Sequence, residues 1–482
     1  MADRSGTPFA VTLAALAAAD PHRPAITSAD RTVTRAELDL RTNRLARAYA
    51  ALGVTQDSFV TIGLPNGVEW FEAVIAAWKL GATPAPVSAR LPRVELEAIV
   101  ELADPSLVVG LDAPGRTAID AGYEPDPGLS EDPLPTKIST AWKAPTSGGS
   151  TGRPKLIVAG GRAITETASL TALGMGMVAD GVHLATGPLY HNGPLSFSAG
   201  ALLLGNHVVV MPHFDAQESL ALIEEHHVDW MYAVPTMMQR IWRLPEEVRT
   251  KYNLSSLRVV FHLAAPCPEW LKRAWIEWLG PERVWELYAG TEAQAVTVIR
   301  GDEWLEHPGS VGRAIYGEMR VLGEDGVELP RGEQGEIFMR APDGATTYHY
   351  IGADARTMDG WESLGDMGSM DADGYIYLGD RASDMILVGG ANVYPAEVEA
   401  AIDAHPRVTS SCVIGLPDDD LGARVHAIVQ AEGELGADEL RDHLAERLVR
   451  YKIPRTFEQV DQPLRDDAGK VRRAALREER LR

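Results

Sequence analysis

In the first third of the chain, short apolar runs alternate with segments of helical periodicity, and this alternation limits the fold more than any other feature. Phe59–Ile62 and Leu107–Val109 are apolar runs long enough for a buried strand and too short for a helix. Between and before them lie helix signals. Thr34-Arg35-Ala36-Glu37 has the spacing of a capping box, which opens a helix that Gly53 closes. Residues 68–80 predict a second helix, with Trp70, Val74 and Trp78 spaced by four on one face and Gly81 at its end. Helices that return between short buried strands predict a parallel sheet covered on both faces, an α/β fold.

The middle keeps this texture. Strands are predicted at 207–211, 230–233, 257–261 and 284–287, and helices at 217–225, 245–249 and 268–278. After about residue 300, short strands at 318–322, 335–339 and 374–378 stand between glycine-rich turns, which suggests a small β subdomain. A second change follows Gly379. Strand, helix (396–402), strand (409–414), strand (425–430), helix (437–448) and strand (456–460) then make a compact α+β unit. A chain of 482 residues exceeds what one hydrophobic core serves. The expected domains are therefore 1–380, a large N-terminal domain of layered parallel sheets with helices plus the β subdomain, and 381–482, a small α+β C-terminal domain.

Charge narrows the function. A formal net charge of −23 argues against nucleic acid as the main partner, because no broad basic face would neutralise phosphates. It does not argue against small anions held by local loops. The two cysteines, Cys267 and Cys412, cannot form a disulfide scaffold and read as buried thiols. Residues 9–19, FAVTLAALAAA, look like a signal-peptide core, but Asp3 offsets Arg4 and the polar Asp-Pro-His-Arg-Pro follows at 20–24. We read them as an amphipathic surface helix. No apolar run reaches the roughly 18 residues of a membrane span, and a cytoplasmic protein is expected.

Five stretches carry candidate chemistry. The first runs Thr146-Ser147-Gly148-Gly149-Ser150-Thr151-Gly152-Arg153-Pro154-Lys155. Its glycines let successive N–H groups point inward, its hydroxyls donate, and Lys155 adds a cation, so it reads as a polyphosphate cradle. It is not a Walker A loop, since Pro154 precedes the lysine and Leu156 follows it. The second, Tyr288-Ala289-Gly290-Thr291-Glu292, follows a predicted strand, at the carboxyl end where open α/β sheets bind ligands. Tyrosine can stack on a base, threonine can donate to a phosphate, and glutamate can hold Mg2+. The third, Ser363-Leu364-Gly365-Asp366, sets a carboxylate in a tight turn, suited to the paired hydroxyls of a ribose. The fourth holds Arg381 where the domains meet and the Gly389-Gly390 turn. The fifth is Gly469-Lys470 near the C-terminus. Taken singly, these are equally a surface loop, turns, a charged linker and a tail charge.

Taken in order and with their spacing, the five resemble the motifs of the adenylate-forming superfamily: acyl-CoA synthetases, peptide-synthetase adenylation domains and firefly-type luciferases. The resemblance runs from Pro24 to Arg473, and 361–399 is similar to bacterial acid–CoA ligases. It implies that residues 146–155 hold the ATP triphosphate, that Tyr288 lines the adenine site, that Thr291 contacts the α-phosphate and that Glu292 binds Mg2+. It further implies that Asp366 and Arg381 meet the ribose, and that Lys470 bridges the substrate carboxylate and the α-phosphate. His191 falls at the acyl pocket, where a structural histidine is the alternative. The small domain is implied to be mobile. It would swing about Ser383 to withdraw Lys470 and bring Gly389 and Gly390 inward for thiol attack by coenzyme A.

Such chemistry joins two anions. Transfer of AMP to a carboxylate creates a mixed anhydride with a good leaving group, and cations must offset the repulsion. Three departures from the family pattern stand out: Ala289 in place of the common glycine, Leu364 in place of threonine, and Ser383 at the hinge. The candidate pocket wall comprises Gly193, Pro194, Phe197, Met231, residues 262–266 including Ala264, Ala289 and Gly290. With no acidic residue in 189–197, an α-amino acid is disfavoured, and the small residues leave room for a bulky alicyclic or polycyclic acid. Fatty and aryl acids rank next. A carrier-protein loader, a member running one half-reaction, and a non-catalytic ligand-binding homologue remain alternatives. Assembly as a homodimer also stays open.

Overall fold

The structure is a computed structural model that describes all residues except 1–5, 30, 149–153, 382–383, 389–390, 419, 467–468 and 482. A large N-terminal domain of parallel sheets carries a smaller C-terminal domain. The principal sheet has nine strands in the order Arg313–Tyr316, Val296–Arg300, Val284–Ala289, Val259–His262, Trp230–Ala233, Val182–Ala185, His207–Val210, Pro24–Ser28 and Arg31–Thr34. From Val284–Ala289 to Pro24–Ser28 every pairing is parallel, and the flanking strands at both ends run antiparallel. A second sheet is wholly parallel: Thr83–Pro86, Phe59–Ile62, Leu107–Val109 and Ala118–Ile119.

The helix Val68–Lys79 differs from its sequence reading. Trp70, Val74 and Trp78 were expected on one buried face, yet Phe71, Ile75 and Ala77 are buried too. The helix packs among strands and helices of both sheets, so its apolar residues run all round. Its most deeply enclosed charge, Glu72, is held by Arg41 at 2.9 Å and Arg31 at 3.2 Å. The helix Phe9–Ala19 also lacks the expected polar face. Phe9 is buried edge-on against Trp78 and Trp142, with ring centroids 4.9 and 6.0 Å away. Among the described residues no helix is long and apolar enough to cross a membrane.

The capping box at Thr34 is present in both directions: the Thr34 hydroxyl accepts from Glu37 N, and Thr34 N donates to the Glu37 carboxylate. Thr34→Ala should therefore cost about 1 kcal/mol, read as a lower denaturant midpoint. An unchanged midpoint would mean that packing alone holds the start of Arg35–Ala51.

The β subdomain is antiparallel, in the order Glu318–Leu322, Gly335–Arg340, Trp361–Met370, Arg356–Met358, with Ile376–Arg381 also pairing on Trp361–Met370. In the C-terminal domain, Val408–Asp418 and Gly422–Ala431 pair antiparallel and Thr456–Gln459 joins in parallel. The helices Pro395–Asp403, Ala437–Ala445 and Arg473–Glu479 accompany them. Cys412 is buried as expected, whereas Cys267 is only partly buried.

Candidate active site

The glycine- and serine-rich stretch is a hairpin at its ends. Thr146–Gly148 pairs antiparallel with Pro154–Ala159, setting Ser147 opposite Lys155. Gly149, Ser150 and Thr151 lie outside the described residues. A third strand, Tyr348–Ile351, pairs with the other edge of Pro154–Ala159. This brings Tyr350 beside Lys155, whose Nζ lies 3.7 Å from the centroid of the Tyr350 ring.

Tyr288 and Ala289 end the strand Val284–Ala289, and the chain then turns, with Ala293 N donating to Gly290 O at 3.1 Å. Thr291 sits half-buried in this turn and Glu292 is buried. Glu292 Oε1 accepts from the Tyr350 hydroxyl at 2.5 Å and lies 3.8 Å from Lys155 Nζ. Lys155 and Glu292 thus meet around one tyrosine. Its hydroxyl pKa is pushed far up, first by burial and then by the Glu292 carboxylate. Gly290 has little room: a Cβ there would stand 2.4 Å from Leu364 Cδ1 and 2.8 Å from Glu292 Oε2.

Asp366 differs from its sequence reading. It lies within the long strand Trp361–Met370, not in a tight turn, opposite Arg381 in register. Gly365 takes a φ of 82° just before it, and the pairing slips between Asp366 and Gly368. The kink turns Asp366 to Tyr288, whose hydroxyl donates to Asp366 Oδ2 at 2.9 Å. Only the backbone of Arg381 is described, and Gly389 and Gly390 lie outside the described residues.

His191 caps the helix Asn192–Leu203, and its ring lies 4.3 Å from that of Tyr190. Burial first, and then the charge of Lys470, push its imidazole down to about 3, so the ring is neutral. Its Nε2 is buried without a hydrogen-bond partner among the described residues, an orphan that a bound group would satisfy. Gly193 packs against Tyr232, and a Cβ there would stand 2.9 Å from Cε2 of that ring. Phe197 turns into an aromatic cluster with Trp230 and Phe261, at centroid distances of 5.0 and 5.2 Å. Ala264 is exposed with a φ of 74°. Met231 points away from this region, into the core with Leu184, Val209 and Val260 on the other side of the sheet.

Lys470 reaches this region from the C-terminal domain. Asp466 starts a turn in which Gly469 N donates to Asp466 O and Lys470 N donates to Asp466 Oδ1, each at 2.9 Å. Residues on either side of it are tied to one carboxylate: Arg473 Nη2 is 2.6 Å and Arg465 Nη2 is 3.7 Å from Glu399. Gly469, at φ 76°, presses on the start of the helix Pro235–Trp242, where a Cβ would stand 3.0 Å from Thr236 Oγ1. Gln239 and Arg243 of that helix donate at 3.3 Å to the Asp403 carbonyl, and Arg472 lies 3.6 Å from Glu95.

Sequence reasoning missed Tyr350. The alternation in Tyr348-His349-Tyr350-Ile351 is a strand signal, but nothing local says that it borders the loop some 200 residues earlier.

Comparison with known proteins agrees along most of the chain. The family model described as AMP-binding enzyme matches residues 13–349, and that described as AMP-binding enzyme C-terminal domain matches 397–470. The long-chain-fatty-acid–CoA ligase FadD13 of Mycobacterium tuberculosis (strain H37Rv) is 30% identical, over 94% of this chain and 94% of its own. A (methyl-dioxo-octahydroindenyl)propanoyl:CoA ligase of Rhodococcus jostii (strain RHA1) is 30% identical over 95% of each chain. The solved o-succinylbenzoate CoA synthetase MenE of Bacillus subtilis, in complex with its acyl-adenylate OSB-AMP, superposes with a TM-score of 0.82 at 27% identity, over 98% of each chain. Another structure of MenE holds ATP and a magnesium ion, with a TM-score of 0.82 at 27% identity, over 98% of this chain and 100% of MenE.

Proposed function

The chain belongs to the AMP-binding enzyme family, and from that premise we propose that it is an AMP-forming acid–CoA ligase whose acid is bulky, alicyclic or polycyclic. It activates the carboxylic acid with ATP as an acyl-adenylate and then transfers the acyl group to coenzyme A. The observation that carries the reading is the meeting of Lys155 and Glu292 around Tyr350: Lys155 Nζ lies 3.8 Å from Glu292 Oε1, which accepts from the Tyr350 hydroxyl at 2.5 Å. From the C-terminal domain, Lys470, in a turn flanked by arginines on Glu399, adds to burial in lowering the pKa of His191, whose Nε2 has no hydrogen-bond partner among the described residues.

Each residue then has a role. Lys155 and the 146–151 stretch hold the triphosphate, with Thr291 at the α-phosphate. Tyr288 lines the adenine site, and Asp366 with Arg381 takes the ribose. Lys470 stands between carboxylate and α-phosphate, offsetting the repulsion as they approach. His191, neutral, offers a hydrogen bond and no charge at the acyl end. Glu292 fits Mg2+: it is a hard, buried carboxylate, and Mg2+ takes one or two carboxylates together with substrate phosphates and water. When bound, the ion supplies Lewis-acid neutralisation of the phosphates. We take 1–380 and 381–482 as the working domains, with Ser383 as hinge and Gly389-Gly390 turned inward for thiol attack. The absence of a spanning helix among the described residues is compatible with a cytoplasmic ligase.

The preference for a bulky acid draws on the small residues at 263–266 and on the Rhodococcus relative, which is named for a bicyclic propanoate. The test is a panel of bicyclic, steroid-like, fatty and aryl acids with ATP, Mg2+ and CoA, with adenylate and thioester detected separately by mass spectrometry. Thioester formed fastest from a bicyclic or polycyclic acid supports the reading. Adenylate without thioester would assign a single half-reaction, and neither product from any acid would leave a binding protein.

Tyr350 should be felt through the metal. Tyr350→Phe removes a hydrogen bond to a charged carboxylate, worth about 1.5–3 kcal/mol, and frees Glu292 to close on Lys155. We expect the Mg2+ concentration for half-maximal pyrophosphate exchange to rise by roughly ten-fold. No change in the Mg2+ titration would mean that the hydroxyl does not orient Glu292.

A further inference from the structure

Lys143, three residues before the Thr146 hairpin, is 7% exposed. Its Nζ donates to Asn192 Oδ1 and, at 2.7 Å, to Ser196 Oγ. Both acceptors are neutral, and the Ser196 hydroxyl in turn donates to Asn192 Oδ1 at 3.2 Å. The Trp142 ring centroid lies 4.2 Å from Nζ and supplies a partial substitute for a counter-charge. No carboxylate among the described residues pairs with it, and burial alone pushes the amine down to about 7. Such a group is costly to enclose unless something brings it an acceptor.

Its location says what that something is. Asn192 follows His191 directly, and Asn192 and Ser196 form one edge of the first turn of Asn192–Leu203, the turn that also carries Gly193. In its protonated form the amine has three donors, and with two committed to this edge it has one left to offer. The two acceptors hold it in place, so a ligand meeting it loses little to ordering.

We propose that Lys143 determines specificity: its amino group binds an oxygen, a ketone or a second carboxylate, on the part of the acid remote from the carboxyl group that is adenylated. The inference rests on reading 191–197 as the acyl-pocket wall. It narrows the acid from a bulky hydrocarbon carboxylate to one that is oxygenated at its far end. Sequence reasoning, which found no acidic residue in 189–197 and disfavoured an α-amino acid, did not weigh a basic residue arriving from outside that stretch.

The test compares sets of three matched cyclic propanoic acids: the plain ring, the ring with a ketone, and the ring with a second carboxylate. Adenylation is followed by pyrophosphate exchange in wild type and in Lys143→Met. In the wild type, kcat/KM for one oxygenated acid should exceed that of its plain partner by roughly ten-fold or more, with most of the difference in KM. Which of the two is favoured separates hydrogen bonding to a ketone from pairing with a carboxylate. In Lys143→Met that ratio should fall to about unity, because the oxygenated acid loses its advantage. Equal wild-type rates for all three acids overturn the inference without recourse to the variant. So does a variant that stays folded and keeps the full ratio. Exchange with no acid at all overturns the ligase reading itself, and the inference with it.

Discussion

Lys470→Ala should lower acyl-adenylate formation by about three orders of magnitude while sparing thioester formation from supplied adenylate. A cation about 4 Å from an anion contributes roughly 4 kcal/mol at an effective dielectric near 20. The adenylation step asks for that charge where a carboxylate approaches a phosphate, and the rate follows by about ten-fold per 1.4 kcal/mol. The side chain is exposed on its own domain, so its removal should leave folding unaffected. Its turn is fixed independently by Asp466 and by the arginines on Glu399. Pyrophosphate exchange reads the first step, and CoA consumption with synthetic adenylate reads the second. Equal losses in both would remove Lys470 from the role assigned to it.

The second large effect concerns stability. Lys272 is 1% exposed and forms a close ion pair with Glu286, itself 6% exposed. The Trp304 ring lies 5.0 Å from Lys272 Nζ, and His262 Nδ1 is 4.0 Å from Glu286 Oε1. That histidine does not stand in for the lysine, because its complete burial, the larger cause, drives its pKa well below the usual value. Lys272→Ala would leave Glu286 charged and enclosed with no cation, at a cost of about 3–5 kcal/mol. Denaturant unfolding should show the loss. The double replacement Lys272→Met with Glu286→Leu should recover most of it, because an apolar pair of similar volume needs no solvation. A single variant as stable as the wild type would mean that water reaches the pair. Glu286 stands two residues before Tyr288, so a strand disturbed here also disturbs the Tyr288–Asp366 hydrogen bond.

Local signals were legible and distant ones were not. The strands Phe59–Ile62, Leu107–Val109, Trp230–Ala233 and Glu318–Leu322 fall where short apolar runs predicted them. The capping box at Thr34 forms because its spacing suffices by itself. Thr83–Pro86 escaped detection because two of its four residues are proline, tolerated here because the strand lies on the edge of its sheet. Asp366 read as a turn residue because Gly365 precedes it; that glycine kinks a strand instead of ending it. The five motifs announced the nucleotide chemistry. Contacts such as Tyr350 on Glu292 and Lys143 on Asn192 and Ser196 join residues dozens of positions apart and exist only once sheets and helices have packed.

Gly469 has a consequence for how such a chain can vary over generations. Its left-handed backbone disfavours any side chain, and Thr236 Oγ1, 3.0 Å from where a Cβ would stand, leaves only a tight fit for one. A replacement there would be opposed twice, by torsion and by crowding, even though the residue performs no chemistry. Its neighbour Lys470 could exchange with arginine and still keep the turn. The position with the least evolutionary latitude at this tip is therefore the one without a functional group, and any loop transplanted from a relative must bring its own glycine to the same place.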